Sequence, residues 1–483
     1  MSDARSSGRH ATPAANNEEV ARLRAELSRV SAERDALEAL AGDTVEEMRG
    51  LLARQSDVLR DTIEAQTALA RIRGGMGWRL IEALRRIRLR ARRLVMAARG
   101  WRRPRLRRGL PSFVREAPLG VNVAGYLNTE SGMGEAARLS IRSLAAAGVP
   151  CALTNVPSRL RMGDQSYSQF TEANPHPFNL VHLNADNMES FARARGRDYF
   201  RDRYTIGYWF WELAEFRADW MGAFQLVDEV WAASEFGRAA LSFQAPVPVL
   251  CMPLPIVAPA PSPYGREHFG LHDDQFVFLF TFDVSSQMER KNPFGLIQAF
   301  RRAFGGRRDV VLALKFTNAE YDQQAASRLY RSVDDLSVLL LEGYLSRDEL
   351  AGLMQAADCY VSLHRSEGFG LTIAEAMALG KPVIATRYSG NVDFMTPANS
   401  YAVEYRLVRI ERDYGPYLQG VSWADPDLEH AATLMRRVVE DRGEAAQRGR
   451  QAAADIAAWR SPERTGAQAR ARLEAIRAGR VEP

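Results

Sequence analysis

From residue 119 onward, short apolar runs alternate with amphipathic stretches. The alternation breaks once, at the proline-rich PLPIVAPAPSPYG (253–265), and then starts again. Strand-length runs fall at 121–126, 151–154, 178–183, 204–210, 229–233 and 247–252 in the first block, with helical stretches such as 134–147, 219–227 and 238–243 between several of them. In the second block they fall at 276–282, 310–315, 338–342, 359–363 and 382–386. Strands separated by helices read as a parallel sheet covered on both faces, so two such blocks predict an α/β chain with two doubly wound, Rossmann-like domains facing each other across a cleft. The expected domains are 119–258 and 266–426, with a helical, Ala- and Arg-rich segment at 427–483 packing back on the body.

The chain has 483 residues, and at roughly 150 residues per domain this leaves room for a further unit before the two α/β blocks. Residues 1–17 read as a disordered tail. Over 18–72, Val20, Leu23, Leu27, Val30, Leu37, Met48, Leu51, Val58 and Leu69 recur at spacings of three and four, while Arg34, Thr44, Gln55 and Thr62 interrupt the seam. A coiled coil, binding a second copy or a partner, and a single amphipathic helix folded on the body both suit this pattern. A run of about seven heptads without proline favours the coiled coil.

Charge is segregated. Between Arg71 and Arg108 stand fifteen arginines and one acid, Glu82, giving +14 in a chain whose net charge is +5 and leaving −9 for the rest. Within 73–118, Leu80, Ile81, Leu84, Ile87, Leu94 and Val95 recur at helical spacing among the arginines, with Trp78 at the edge. Such a basic amphipathic helix suits an anionic membrane surface; a solvated linker and a nucleic-acid patch are the other readings. The interleaved Trp and Leu favour the membrane, and no nucleic-acid partner is expected. No stretch approaches the ~20 apolar residues of a membrane-spanning helix, and the first residues lack the apolar core of a secretory signal. Cys151, Cys251 and Cys359, each within an apolar run, read as buried thiols. The expected location is therefore cytoplasmic, peripheral at the inner face of the cytoplasmic membrane.

The chemistry concentrates at 362–393, SLHRSEGFGLTIAEAMALGKPVIATRYSGNVD. A strand feeds the loop Glu367-Gly368-Phe369-Gly370 and then a helix, which Gly380 ends. The two glycines let backbone amides approach an anion or oxygen at the helix N-terminus. Glu367 before the helix and Glu375 within it can contact two ends of one ligand. Glu-x7-Glu in this setting resembles the donor-binding signature of the retaining GT-B glycosyltransferases of family 4. The resemblance implies that Glu367 holds sugar hydroxyls, that Gly368, Phe369, Gly370 and Leu371 line the donor site through their backbone, and that Glu375 binds the ribose.

At 280–300, FTFDVSSQMERKNPFGLIQAF, the pair Asn292-Pro293 marks a helix start, so Arg290 and Lys291 stand beside a helix N-terminus suited to a diphosphate. The family's arginine several residues before this lysine is absent, since Ser285 and Ser286 stand there; Arg290 is the expected replacement. Lysine occurs three times in the whole chain, at 291, 315 and 381. In VNVAGYLNTESGMGEAARLS (121–140) the loop Gly132-Met133-Gly134 resembles the glycine loop of GT-B amino-terminal domains. TIGYWFWELAEFRADW (205–220) resembles a bacterial subgroup of the family and lacks the histidine many members carry there. It makes Glu212 the candidate to orient the acceptor hydroxyl, with Trp209 and Trp211 as possible sugar-stacking faces. His182 and His364, at strand ends, are secondary candidates.

The function the resemblance implies is retaining transfer of a sugar from a nucleoside-diphosphate sugar to a glycan acceptor, lipid-linked in keeping with a role in O-antigen, capsule or exopolysaccharide synthesis. The Trp78-Arg-Leu stretch is similar to the linker preceding such domains. Catalytic weight falls on Glu367, Glu212, Lys291 and Arg290. No cofactor and no metal are implied, the nucleotide sugar being the donor substrate; Asp334-Asp335 reads as a turn. The alternative is an inactive GT-B scaffold recruiting partners at the membrane.

Overall fold

The computed structural model of the chain describes residues 109–480. The expected tail, the coiled coil and residues 73–108 of the basic segment lie outside the described residues. The first α/β block forms a six-stranded, all-parallel sheet: β1 (Val121–Gly125), β2 (Cys151–Asn155), β3 (Phe178–His182), β4 (Tyr204–Trp209), β5 (Glu229–Ala232) and β6 (Val249–Cys251), in the order β2-β1-β3-β4-β5-β6. Its helices follow a short α1 (Ser112–Glu116) and are α2 (Gly132–Ala146), α3 (Ala185–Arg195) and α4 (Glu235–Ser242). The stretch expected as a helix at 219–227 is instead 3-10 helix over Ala218–Leu226.

After the proline-rich connection the second sheet is again parallel and six-stranded: β7 (Phe276–Asp283), β8 (Val310–Thr317), β9 (Val338–Glu342), β10 (Cys359–Ser362), β11 (Val383–Thr386) and β12 (Tyr401–Val403), in the order β12-β11-β10-β7-β8-β9. Both faces of the central strands are covered, which is why FVFLFTFD and VVLALKFT are almost continuously apolar and buried. The helices of this block are α5 (Met288–Lys291), α6 (Pro293–Phe304), α7 (Gln323–Arg331), α8 (Arg347–Ala356) and α9 (Leu371–Ala378). Strand order reverses between β7 and β10, the switch point at which a doubly wound sheet opens a crevice beyond its carboxyl ends. The two chemistry-bearing loops, 284–292 and 363–370, leave from those two strands.

An antiparallel hairpin, β13 (Tyr405–Arg409) and β14 (Ser422–Pro426), then precedes α10 (Leu428–Glu440), α11 (Arg442–Trp459) and α12 (Pro462–Arg477). Residues 427–477 are helical as expected. The last helix leaves its own domain and packs on α2 of the first. There Ser143 Oγ meets Thr465 Oγ1 at 2.5 Å, and Gly466 lies so close to the Ser143 carbonyl that a Cβ would collide with it. Arg472 pairs with Glu229 on β5, Nε to Oε1 at 3.0 Å; Glu229 is fully buried and also accepts from Trp231 Nε1 (2.7 Å) and the Tyr204 hydroxyl (3.1 Å). Among the described residues no helix is long and apolar enough to cross a membrane.

Candidate active site

Glu367, Arg290 and Lys291 are brought together at the switch point. Lys291 Nζ lies 2.5 Å from Glu367 Oε1 and an Arg290 guanidinium nitrogen 3.2 Å from the same oxygen. Arg290 also donates to the Ser366 carbonyl (2.8 Å) and is 4% exposed. Burial alone would raise the Glu367 carboxyl, but Lys291 and then Arg290 overcome it and hold it down to about 2. Burial lowers Lys291 below its ordinary range, with Arg290 adding to that and Glu367 opposing it. Burial also acts against the charge of Arg290, yet Tyr417, Glu367 and Glu212 hold it raised and charged.

Local sequence explains the geometry. Gln287 and Asn292 take positive φ (70° and 57°) and bracket the single turn of α5, so that Arg290 and Lys291 end one helical turn rather than begin the next. Asn292 then caps α6, accepting from Gly295 N at 3.2 Å, and donates to the Leu363 carbonyl at 2.8 Å, which ties this loop to the one after β10. Gly370 (φ +91°) turns that loop into α9, with Leu371 its first residue. Phe369 buries its ring against Phe394 and leaves its backbone at the helix start.

The SGNVD loop closes the underside. Ser389 Oγ accepts from Glu367 N (2.7 Å), Gly390 N donates to the Glu367 carbonyl (2.9 Å), and a Cβ on Gly390 would collide with the Gly368 carbonyl. His364 is part of this support rather than of the cleft. It is fully buried, its Nδ1 meets Ser362 Oγ (3.0 Å) and its Nε2 meets Asn391 Oδ1 (3.0 Å), and burial lowers its pKa.

The first domain supplies the opposite wall. Glu212 follows β4 and lies against Gly368, and its carbonyl accepts from the Ser366 hydroxyl. Its carboxylate acts on both Arg290 and Lys291. Trp209 and Trp211 correct the expectation of sugar-stacking faces: both are buried, Trp209 against Phe216 and Phe224, and Trp211 against Phe216 and Trp220. They are the packing that fixes the Glu212 segment. His182 likewise does not line the cleft. It is fully buried, stacked on Tyr208 at 4.4 Å, and burial drives it down to about 3, so it is a neutral core group. The glycine loop begins α2, with Ser131 capping Gly134 N (3.2 Å) and Gly132 exposed. Gly134 sits where a Cβ would strike the Thr129 and Tyr126 carbonyls, and Met133 is half-buried between them.

Glu375, inside α9, is half-buried; its backbone carbonyl accepts from Leu379 N at 3.1 Å. Burial, then Glu135 of α2, push its carboxyl up to about 8, with Arg347 opposing. Arg347 spans the domains, reaching Asp164 Oδ2 at 2.6 Å and Glu135 Oε2 at 2.8 Å. Further cross-domain bonds run from Ser234 Oγ to the Gly368 carbonyl and from Glu235 N to Asp393 Oδ2, both at 2.7 Å.

Sequence reasoning missed Tyr417. It sits in the loop of the β13–β14 hairpin, 4% exposed, its ring 5.8 Å from the Arg290 guanidinium carbon and 6.0 Å from the Trp211 ring. Alternating YRLVR and SWADP flanking DYGPYLQG was the available signal for that hairpin. Among the described residues no cluster of His, Cys, Asp or Glu has the spacing to hold a metal ion.

Comparison with known proteins accords with this arrangement. Residues 266–455 match the family described as Glycosyl transferases group 1, a stretch that takes in the second α/β block, the β13–β14 hairpin, α10 and most of α11. Among solved structures, HepE from Anabaena in complex with UDP and glucose aligns with TM-score 0.55, 15% identity and coverage of 74% of this chain and 100% of that one. Sucrose-phosphate synthase from Thermosynechococcus elongatus aligns with TM-score 0.54 and 16% identity, covering 75% and 100%. The fold is GT-B. A D-inositol 3-phosphate glycosyltransferase from Arthrobacter sp. (strain FB24) is 31% identical over 143 residues, 28% of this chain and 32% of that protein. An uncharacterized glycosyltransferase from Methanocaldococcus jannaschii is 37% identical over 84 residues, 16% of this chain and 24% of that protein. The chain thus spans a third or less of the curated relatives it matches.

Proposed function

We propose that this chain is a retaining, metal-independent glycosyltransferase of the family 4 type, moving a sugar from a nucleoside-diphosphate sugar to a glycan acceptor. The observation that carries the reading is the convergence of Lys291, Arg290 and Glu367 at the N-terminus of α9, with Glu212 facing them from the other domain. Two cations beside helix amides, Arg290 buried and Lys291 half-buried, form a site for the charge that develops on a departing diphosphate. In the unliganded chain Glu367 occupies those cations. The donor's diphosphate takes them over, and Glu367, Gly368 and the amides of Phe369 and Gly370 then hold the sugar.

Glu375 takes the ribose hydroxyls. The Gly132-Met133-Gly134 loop faces the diphosphate from the first domain. Glu212 orients the acceptor hydroxyl as the bond from the anomeric carbon to the diphosphate breaks and the bond to the acceptor oxygen forms with the configuration kept. The acceptor is lipid-linked, within bacterial surface-polysaccharide synthesis, and residues 73–108 hold the chain to an anionic leaflet. The coiled coil binds a second copy or a partner.

Thermal unfolding with UDP-, GDP-, ADP- and dTDP-sugars tests the donor site. One nucleotide class stabilises the native chain and fails to stabilise Lys291→Ala. No stabilisation of the folded chain by any of the four overturns the transferase reading. Product analysis with a lipid-linked acceptor reads the anomeric outcome, and flotation with vesicles of anionic lipid reads the membrane contact.

A further inference from the structure

Of the three lysines in the chain, two have partners: Lys291 meets Glu367, and Lys381 donates to the Gln355 carbonyl at 2.6 Å. Lys315, inside β8, is 8% exposed, and no hydrogen bond or ion pair reaches its ammonium among the described residues. A buried ammonium without an acceptor costs stability, and a binding site is where a ligand brings the acceptor. Its place in the sheet says which site. Register aligns Lys315 with Thr281 on β7 and Leu341 on β9, and aligned residues of a parallel sheet share a face. Thr281 Oγ1 meets the Tyr360 hydroxyl at 3.2 Å, and that hydroxyl donates to Thr372 Oγ1 at 2.7 Å. Thr372 and Glu375 are three residues apart on α9 and so share one side of that helix. Lys315 and Glu375 therefore stand on the same face of the second sheet. Beyond the row Thr281-Lys315-Leu341 the strand ends are tied together: Asp283 Oδ1 accepts from Asn318 Nδ2 (2.9 Å), and Asn318 Oδ1 accepts from the Tyr344 hydroxyl (2.7 Å). From the first domain Arg161, paired with Glu130 at 3.3 Å, lies over the Tyr344 ring at 4.9 Å.

We propose that Lys315 reads the donor's nucleobase, donating to an exocyclic keto oxygen on the base edge farthest from the ribose, so that the donor is a nucleotide of uracil, thymine or guanine rather than of cytosine or adenine. This rests on the transferase reading above, which puts the diphosphate at Arg290 and Lys291 and the ribose at Glu375. The helix α9 packs on β10 and β11, and β8 lies two strands beyond β10, about 10 Å at the usual spacing. A nucleoside covers such a span between its ribose hydroxyls and the far edge of its base. An ammonium offers three donors and no acceptor. Facing O4 of uracil or thymine, or O6 of guanine, it gains a charge-assisted hydrogen bond. Facing the amino group that cytosine or adenine carries at the same position, it meets another donor and stays unpaired. The Asn318 amide and the Tyr344 hydroxyl are bonded within the rim, which leaves the discrimination to Lys315.

Calorimetry with free UDP, dTDP, CDP, GDP and ADP tests this, with UDP against CDP as the sharpest pair because they share ribose, diphosphate and ring. The native chain is expected to bind UDP or dTDP at least about tenfold more tightly than CDP or, if it takes a purine, GDP at least about tenfold more tightly than ADP. In Lys315→Met, which keeps the stem without the charge, the keto diphosphate loses about tenfold and the amino one changes less than about twofold, so the preference disappears. Equal affinity of the native chain for keto and amino members, or tighter binding of CDP or ADP, overturns the proposal. So does a Lys315→Met chain that keeps the native preference or weakens both members equally, as a lysine with a purely structural part would. In all these cases the transferase reading stands, because the native chain binds a nucleoside diphosphate. A folded native chain that binds none of the five overturns both. Should Lys315→Met not fold, Lys315→Gln, whose amide both donates and accepts, is expected to bring the two members within about threefold of each other, and a native-like preference in that variant overturns the proposal.

Discussion

Replacing Glu375 by glutamine should make the protein more stable and a poorer binder of its nucleotide. The carboxyl is half-buried in α9, has no hydrogen-bond partner among the described residues, and is pushed from its ordinary 4.5 up to about 8 by burial and by Glu135. An acid that is harder to ionise in the folded chain than in the unfolded one costs nothing below pH 4.5, where both forms are protonated. From there to pH 8 each pH unit costs about 1.4 kcal/mol, and above pH 8 the penalty is constant. At pH 7 this amounts to roughly 3 kcal/mol, of which water reaching the half-exposed carboxyl screens a part, leaving about 2 kcal/mol. The glutamine cannot ionise, so the variant gains that amount, a rise of about 2–3 °C in Tm at pH 7 for a chain of this length. The gain should be near zero at pH 4.5 and grow to a plateau by pH 8.5. Thermal unfolding of both chains across that range checks it, with UDP or the diphosphate that the native chain prefers added in a second series to show the lost ligand stabilisation. A gain independent of pH, or a loss at pH 7, would refute the reasoning.

Lys315 on β8, 8% exposed, carries the opposite sign: burial lowers it to about 8 despite Asp283 and Glu130. Lys315→Met should therefore stabilise the fold by about 3 kcal/mol below pH 8, with the gain vanishing by pH 10.5, as read by denaturant midpoints at pH 7 and 10.5. Arg472→Ala strands the fully buried Glu229 carboxylate and should cost about 3–5 kcal/mol, whereas Arg472→Ala with Glu229→Gln should recover more than half of it in the same unfolding assay. Gly390→Ala forces the SGNVD loop off the Gly368 carbonyl and should reduce diphosphate affinity at least about tenfold in calorimetry, with Tm falling by no more than a few degrees.

The sheets were legible because their strands are covered on both faces and so stand out as apolar runs: the eleven expected from the sequence all lie in the two parallel sheets. Of the strands that escaped, β12 is only three residues long, and β13 and β14 carry charged positions, as in Tyr405–Arg409. They gave no run to see. At the site, the sequence singled out Glu367, Lys291 and Arg290 as motif residues flanking helix starts, and Glu212 through its segment's resemblance to a bacterial subgroup of the family; the structure brings the four together. Trp209 and Trp211 were misread because an aromatic beside a cleft residue in sequence need not face the cleft; alternate packing turned both into the core under Glu212. Tyr417 was invisible for a different reason. Its place comes from a loop meeting Arg290, 127 positions earlier, and Trp211, 206 positions earlier, contacts that no local spacing records.

The docking of α12 has a consequence for how the chain is made. Glu229 belongs to a central strand of the first sheet, yet its cation arrives 243 residues later. On the ribosome the amino-terminal half emerges with an uncompensated carboxylate in the middle of its sheet and a bare groove along α2, and neither is closed until residues 462–477 leave the exit tunnel. That half must therefore wait through the synthesis of its entire companion. A chain that ends just before residue 462 has every strand of both sheets, but its first sheet lacks the closing brace of α12.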